Sequence, residues 1–153
     1  MSAIPDPVDL SPADLRPVED EADAAACWPL MRQLRPHLES EAEFVSRWRR
    51  QVASGYRLLA LHRDGRPVAL AGFRVQENLV HGQFLYVDDL VTDEVERSGG
   101  HGARLMAWLV QEGRALGCAR LVLDTPLTNV LGHRFYYRNG LLATALRFGQ
   151  PLA

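Results

Sequence analysis

The sequence predicts an α/β (α+β) fold, a mixed sheet with helices on both faces. Three strand-like runs follow one another as a meander, a strand–helix–strand unit comes after them, and the apolar spacing switches between periods of about 2 and 3.6. At 153 residues one core is expected, since single domains commonly run to roughly 100–200 residues. Residues 1–13 read as a loose, proline-containing lead-in, and 14–153 as one domain.

Leu15 to Glu19 reads as a short strand. Ala22 to Leu34 reads as a helix with Ala25, Trp28, Met31 and Leu34 on one face and Pro36 as its stop. Ser40-Glu41-Ala42-Glu43 is a capping box, in which serine and glutamate side chains satisfy orphan backbone amides reciprocally. It opens a second helix with Phe44, Val45, Trp48 and Val52 as its apolar face and Gly55 as its stop. Three strands are expected at Tyr56–His62, Val68–Gln76 and Gln83–Thr92, with Asp64-Gly65 as a hairpin signal between the first two. A helix follows over His101–Leu116, then a short strand at Leu121–Leu123 and a helix over Asn129–Asn139 ended by Gly140. One or two closing strands are expected in Leu141–Leu152.

Composition excludes several classes. The apolar fraction of 47% and charged fraction of 24% are those of an ordinary globular chain. No apolar run approaches the roughly 20 residues needed to span a bilayer. Met1 to Leu15 has no basic flank before an apolar stretch, so no signal peptide is read there and a cytoplasmic location is expected. A formal charge of −2 argues against nucleic acid as a partner. Cys27 and Cys118 form neither a disulfide framework nor a zinc signature, and both are expected as buried free thiols. All 17 basic residues are arginine. Without lysine there is no Schiff-base nucleophile and no Walker-type phosphate loop. His37, His62, His81, His101 and His133 show no metal-ligand spacing, so no metal is expected.

The most informative stretch is Arg97-Ser98-Gly99-Gly100-His101-Gly102, between the longest strand and an amphipathic helix. Glycines permit positive φ and close backbone approach, and the first turn of a helix leaves amides unpaired. Those amides and the helix dipole suit a phosphate-bearing ligand, with Arg97 as a fork-shaped cation at the edge. A dinucleotide fingerprint fails, because Leu105 stands where a third glycine or alanine belongs and Leu121 to Leu123 supply no acidic ribose contact.

Here the chain resembles the GNAT superfamily of acyl-CoA N-acyltransferases. Leu85 to Thr92 followed by Arg97 to Gly102 matches that family's strand and Gln/Arg-x-x-Gly-x-Gly/Ala loop, and Asn129 followed by His133 to Leu141 matches its Asn…Phe-Tyr…Gly pattern. Leu141 replaces the usual aromatic after the helix-ending glycine, and Gly132 a common alanine. The resemblance implies a mostly antiparallel central sheet of six to seven strands and acetyl-CoA as co-substrate. It implies pyrophosphate binding by the amides of Ser98, Gly99, Gly100, His101, Gly102 and Ala103, with Arg97 alongside. The backbone of Leu90, Val91 and Thr92 would pair with the pantetheine arm as an added strand. Asn129 would contact that arm or brace the neighbouring backbone. Homodimers are common among relatives, often through the last strands.

Acyl transfer from a thioester to an amine needs a neutral amine, donors for the oxyanion and a proton for the departing thiolate. The resemblance puts Tyr136 in the place of the acid, where it would also meet the cofactor. A strand amide near Leu90 to Thr92 would serve the oxyanion. Asp88 and Asp89 are an unusual adjacent pair on an apolar strand, since unpaired buried acids are costly, and either is a candidate base. Strand alternation sends them to opposite faces, so that one of them enters a given cleft. Arg32 and Arg35 near the first helix end would either recognise an acid on the acceptor or sit solvated beside the helix dipole. The function expected is N-acetyl transfer from acetyl-CoA to a primary amine of an unidentified small-molecule acceptor, by direct transfer in a ternary complex. A non-catalytic acyl-CoA-binding module is the alternative.

Overall fold

The computed structural model describes residues 14–153, with the side chain of Ser98 left aside. The expected lead-in over residues 1–13 lies outside the described residues. In chain order the elements are β1 (Leu15–Pro17), α1 (Glu21–Leu34), α2 (Glu41–Ala53), β2 (Arg57–Arg63), β3 (Arg66–Asn78), β4 (Gly82–Thr92), a 3-10 helix (Glu94–Gly99), α3 (His101–Ala115), β5 (Arg120–Leu123) and α4 (Val130–Arg138). The described residues divide into two compact units, one ending at Val122 and the other Leu123–Ala153. Among the described residues no helix is long and apolar enough to cross a membrane.

Local chemistry explains the helix ends. The Asp20 carboxylate caps α1 by accepting from the Asp23 N–H at 2.8 Å. Ser40 Oγ caps α2 by accepting from the Glu43 N–H at 3.1 Å. The second half of the expected box differs: Glu43 Oε2 accepts from the Glu39 N–H at 2.8 Å, one residue further back than Ser40. Pro29 lies inside α1, exposed, where its missing N–H falls on the solvent side. The buried face of α1 is Ala24, Cys27, Leu30 and Met31, with Trp28 and Leu34 packed at its flank. The expected stripe is thus rotated by about one position, because Pro29 and Ala25 face outward more than Ala24 and Cys27.

Five strands form one sheet in the order β1-β2-β3-β4-β5, and the first three pairings are antiparallel. Asp64 and Gly65 both have positive φ, 51° and 77°, which is the mirror-image turn that matches strand twist in a two-residue hairpin. Leu58, Ala60 and Leu70 pack with α1 and α2, while Phe73 meets Trp108 of α3 edge-on at 5.7 Å. Helices therefore cover both faces. This is also why β2 reads as the continuous apolar run Leu58–Leu61 and not as an alternation. Burying each such leucine contributes about 1.5–3 kcal/mol. Cys27 lies in this core, its thiol pushed up to about 12 by burial and by Asp23. Cys118 is only half-buried, and both thiols are free.

Two features depart from the expected sheet. First, Leu141–Leu152 forms no strand, so the sheet has five strands among the described residues and not six to seven. Leu142, Thr144 and Leu146 keep a strand-like period of two, but a strand exists only where a neighbour takes its amides, and no ladder among the described residues includes this segment. Gly149 and Pro151 interrupt it, and Arg147 is tied instead to Asp124 by an ion pair at 2.9 Å. Second, β4 carries a β-bulge. Its register against β3 runs Asp89 to Gly72 but Val87 to Phe73, leaving Asp88 as the extra residue.

Candidate active site

The bulge reverses the alternation of β4. Val91 packs with α1 and α2, whereas Val87 pairs with Phe73, which faces α3. Asp88 and Asp89 consequently do not point to opposite faces, as strict alternation requires. Both carboxylates enter one cluster on the α1/α2 side. Arg74 Nε donates to Asp88 Oδ2 at 3.0 Å, and the Arg74 guanidinium lies 5.4 Å over the Tyr56 ring. The Tyr56 hydroxyl donates to Asp89 Oδ2 at 2.7 Å. Arg35, the C-cap of α1, donates from Nε to Asp89 Oδ1 at 2.9 Å and from Nη2 to the Asp88 carbonyl at 2.8 Å.

The two acids are left in different states. Both oxygens of Asp89 accept hydrogen bonds, one from Tyr56 and one from Arg35. Asp88 Oδ1 has no protein partner among the described residues. Burial raises the Asp88 carboxyl above its ordinary value, and Arg74 only partly offsets that, with the Asp89 charge adding to it. The Tyr56 phenol is held well above its usual range by burial and by Asp89, so it is a donor only.

Tyr56, Arg74 and Gly72 complete this cluster without having been singled out by the sequence. A Cβ on Gly72 would lie 2.0 Å from the Tyr56 hydroxyl oxygen, so the phenol occupies the space a side chain would take. An isolated glycine inside a strand pattern signals a bulge or a close approach. Gly72 marks both, and it was the one legible sign. Arg35 is not a free cation at the helix end, since Asp89 engages it while its side chain stays part-exposed. Arg32 remains exposed in the last turn of α1.

Beyond Asp89 the strand continues through Leu90, Val91 and Thr92, which pair with Ala71, Leu70 and Ala69 of β3. On the other side no strand among the described residues is their neighbour. The lead-in amide of β5, Ala119 N–H, donates to the Gln83 carbonyl near the start of β4 at 2.8 Å. Four residues at about 3.3 Å each do not reach Leu90 in either direction from there. This edge leads into the 3-10 helix and then α3. Gly100, at φ 73°, is the N-cap of α3 and offers no side chain to cap it. The first internal bond of that helix runs from the Arg104 N–H to the Gly100 carbonyl, so the amides of His101, Gly102 and Ala103 precede its ladder. Arg97 is exposed, and its contact among the described residues is to Glu94 at 3.8 Å. The backbone of Ser98 and Gly99 ends the 3-10 helix. Gly99 serves a different purpose from Gly100: a Cβ there would meet the His101 ring at 2.8 Å.

In the second unit Asn129 is the N-cap of α4. Its Oδ1 accepts from the Gly132 N–H at 3.1 Å and its Nδ2 donates to Thr125 Oγ1 at 2.9 Å. Asn129 therefore braces local backbone. The Tyr136 ring packs edge-on against Phe135 at 5.4 Å, and burial raises its phenol above the ordinary value of 10.0. His133 contacts the Pro126 carbonyl at 2.9 Å through Nε2.

A profile of the acetyltransferase (GNAT) family matches residues 22–141 and thus runs through both units. The uncharacterized N-acetyltransferase YhdJ of Bacillus subtilis is 28% identical over 140 residues, covering 90% of this chain and 98% of that protein. The aminoalkylphosphonate N-acetyltransferase of Salmonella typhimurium is 31% identical over 91 residues, or 59% of each chain. Among solved structures, the aminoglycoside N-acetyltransferase AAC(6')-Iy in complex with CoA matches with a TM-score of 0.79 at 17% identity, over 92% of this chain and 95% of that one. That last likeness speaks for the fold, and the profile for the family. The chain belongs to the GNAT family of acetyltransferases and is an acetyl-CoA-dependent acyltransferase.

Proposed function

We propose that the chain moves an acetyl group from acetyl-CoA to the primary amine of a small molecule, by direct transfer in a ternary complex. The observation that carries this is the order of features along residues 88–103. Among the described residues, a carboxylate oxygen on Asp88 without a partner comes first, then the strand edge of Leu90–Thr92 without a neighbour, then the amides opening α3, which no side chain caps. That sequence fits an amine, an amide-bearing arm and a pyrophosphate in turn. Acetyl-CoA, when bound, supplies the activated acetyl thioester.

The chain's own groups have distinct tasks. The amides of His101, Gly102 and Ala103, with those of Ser98 to Gly100 and the Arg97 side chain, hold the pyrophosphate oxygens. The backbone of Leu90 to Thr92 aligns the arm, and an amide of that edge donates to the thioester oxygen. Asp88 takes the proton of the incoming amine through Oδ1. Asp89, with both oxygens engaged, holds the bulge in place. Tyr136, whose raised phenol stays protonated near neutral pH, gives its proton to the departing thiolate. Asn129 supports α4 through its cap.

A thiol-release screen with acetyl-CoA tests the proposal, over polyamines, amino acids, aminoalkylphosphonates, aminoglycosides and peptide amines. Turnover of at least one small amine is expected, together with a rise in melting temperature on adding coenzyme A, since binding to the folded state must raise its apparent stability. Release only with peptide or protein amines contradicts the small-molecule acceptor.

A further inference from the structure

Glu96, in the 3-10 helix just before Arg97, is an unexpected residue to find beside amides meant for an anion. A carboxylate there repels a pyrophosphate by the Coulomb law. Its side chain is nevertheless drawn inward, 18% exposed, and gathers groups from three other elements. Arg63 Nη1 donates to its Oε2 at 2.8 Å, Arg66 Nη2 lies 3.5 Å from its Oε1, and His101 Nε2 lies 3.4 Å from its Oε2. The two arginines flank the Asp64-Gly65 turn, and His101 is the first residue of α3. Arg66 also donates to Asp93 Oδ2 at 3.1 Å, the residue whose other oxygen caps the 3-10 helix at the Val95 N–H.

Stability alone does not account for this arrangement. Arg63 and Arg66 have side chains 57% and 54% exposed, and ion pairs of such exposed arginines contribute little to folding. What the contacts do fix is the path from β4 to α3. Glu96 links the β2–β3 turn to the buried His101 ring, and Gly99 leaves the space that ring needs. We propose that Glu96 is a positioning residue for the cofactor loop: by joining Arg63, Arg66 and His101 it sets where Gly100 delivers the first amides of α3. This rests on the pyrophosphate role proposed above for those amides.

The charge of Glu96 and its geometry act in opposite directions on coenzyme A, so one substitution separates them. In Glu96→Gln a negative charge leaves the neighbourhood of the pyrophosphate, which by charge alone strengthens binding. If Glu96 positions the loop, binding weakens instead, by roughly tenfold. Calorimetric titration with coenzyme A reads this, with the melting temperature of the free protein recorded alongside. Glu96→Asp keeps the charge but loses the reach, and it too is expected to weaken binding. With an amine turned over in the screen, KM for acetyl-CoA rises while kcat stays within about twofold. Equal or tighter binding by Glu96→Gln, with the wild type binding normally, overturns this inference alone. A wild-type protein that does not bind coenzyme A overturns both the inference and the function it rests on.

Discussion

Replacing Asp88 by asparagine is expected to lower kcat by about 10²- to 10⁴-fold while leaving coenzyme A affinity unchanged, the usual scale for loss of a general base. Asparagine keeps an oxygen for Arg74 but has no basic atom at the partnerless position. Since burial raises the Asp88 carboxyl above 3.8, the wild-type rate should climb with pH along a limb that lies above that value. Below the limb Asp88 is protonated and transfer is lost. Asp88→Asn should abolish the limb. The linked effect on stability has the opposite sense. A raised value means that the folded chain binds this proton more tightly than the unfolded chain, so ionisation of Asp88 costs stability as pH rises through its folded value. Asp88→Asn removes that cost, and its melting temperature should not fall with the rate. Asp89→Asn differs, because it disturbs Tyr56 and Arg35 together. It should lower both the rate and the melting temperature. A full rate in Asp88→Asn would show that Asp88 is not the base.

Gly72→Ala is expected to lower stability by about 1–3 kcal/mol, the usual cost of forcing an extra methyl into a packed site. Its φ is ordinary, so the effect is steric and not a matter of backbone strain. The new Cβ would lie 2.0 Å from the Tyr56 hydroxyl, 2.6 Å from Cζ and 2.7 Å from Cε2. Tyr56 is only 4% exposed and has Arg74 over its ring, which leaves little room to swing aside. Its hydrogen bond to Asp89 must stretch or break, and the bulge that brings Asp88 and Asp89 together loses a support. Thermal melts and initial rates measure the two consequences. Adding Tyr56→Phe to Gly72→Ala should not restore stability, since the ring carbons themselves stand in the way. Rescue by that double substitution would mean that only the hydroxyl contact matters.

Much of this architecture was legible in the sequence because its signals are local. Asp64-Gly65 specified a hairpin by its conformational demand, Ser40 specified a helix start by its hydroxyl, and Gly100 provided the positive φ before α3. Tyr56, Arg74 and Arg35 were not legible as a group. They come from β2's approach, β3 and α1, and only the tertiary fold brings them to one pair of carboxylates. The facing of Asp88 and Asp89 departs from strict alternation for a related reason. Alternation is a rule for an unbroken ladder, and the bulge that breaks it depends on the register of β4 against β3. The glycine that accommodates it, Gly72, lies on the neighbouring strand. Strand-like spacing in Leu141–Leu152 likewise describes a capacity to pair, and pairing needs a partner that local pattern does not supply.

The central claim is that the strand edge of Leu90–Thr92 and the start of α3 bind the cofactor. Amide nitrogen–proton spectra recorded during a titration with coenzyme A test it most directly. The expected result is that the largest shifts fall on Leu90 to Thr92 and on Ser98 to Ala103, and that Glu96→Gln reduces them at equal ligand concentration. Saturable shifts elsewhere, with both of those stretches unchanged, would contradict the account.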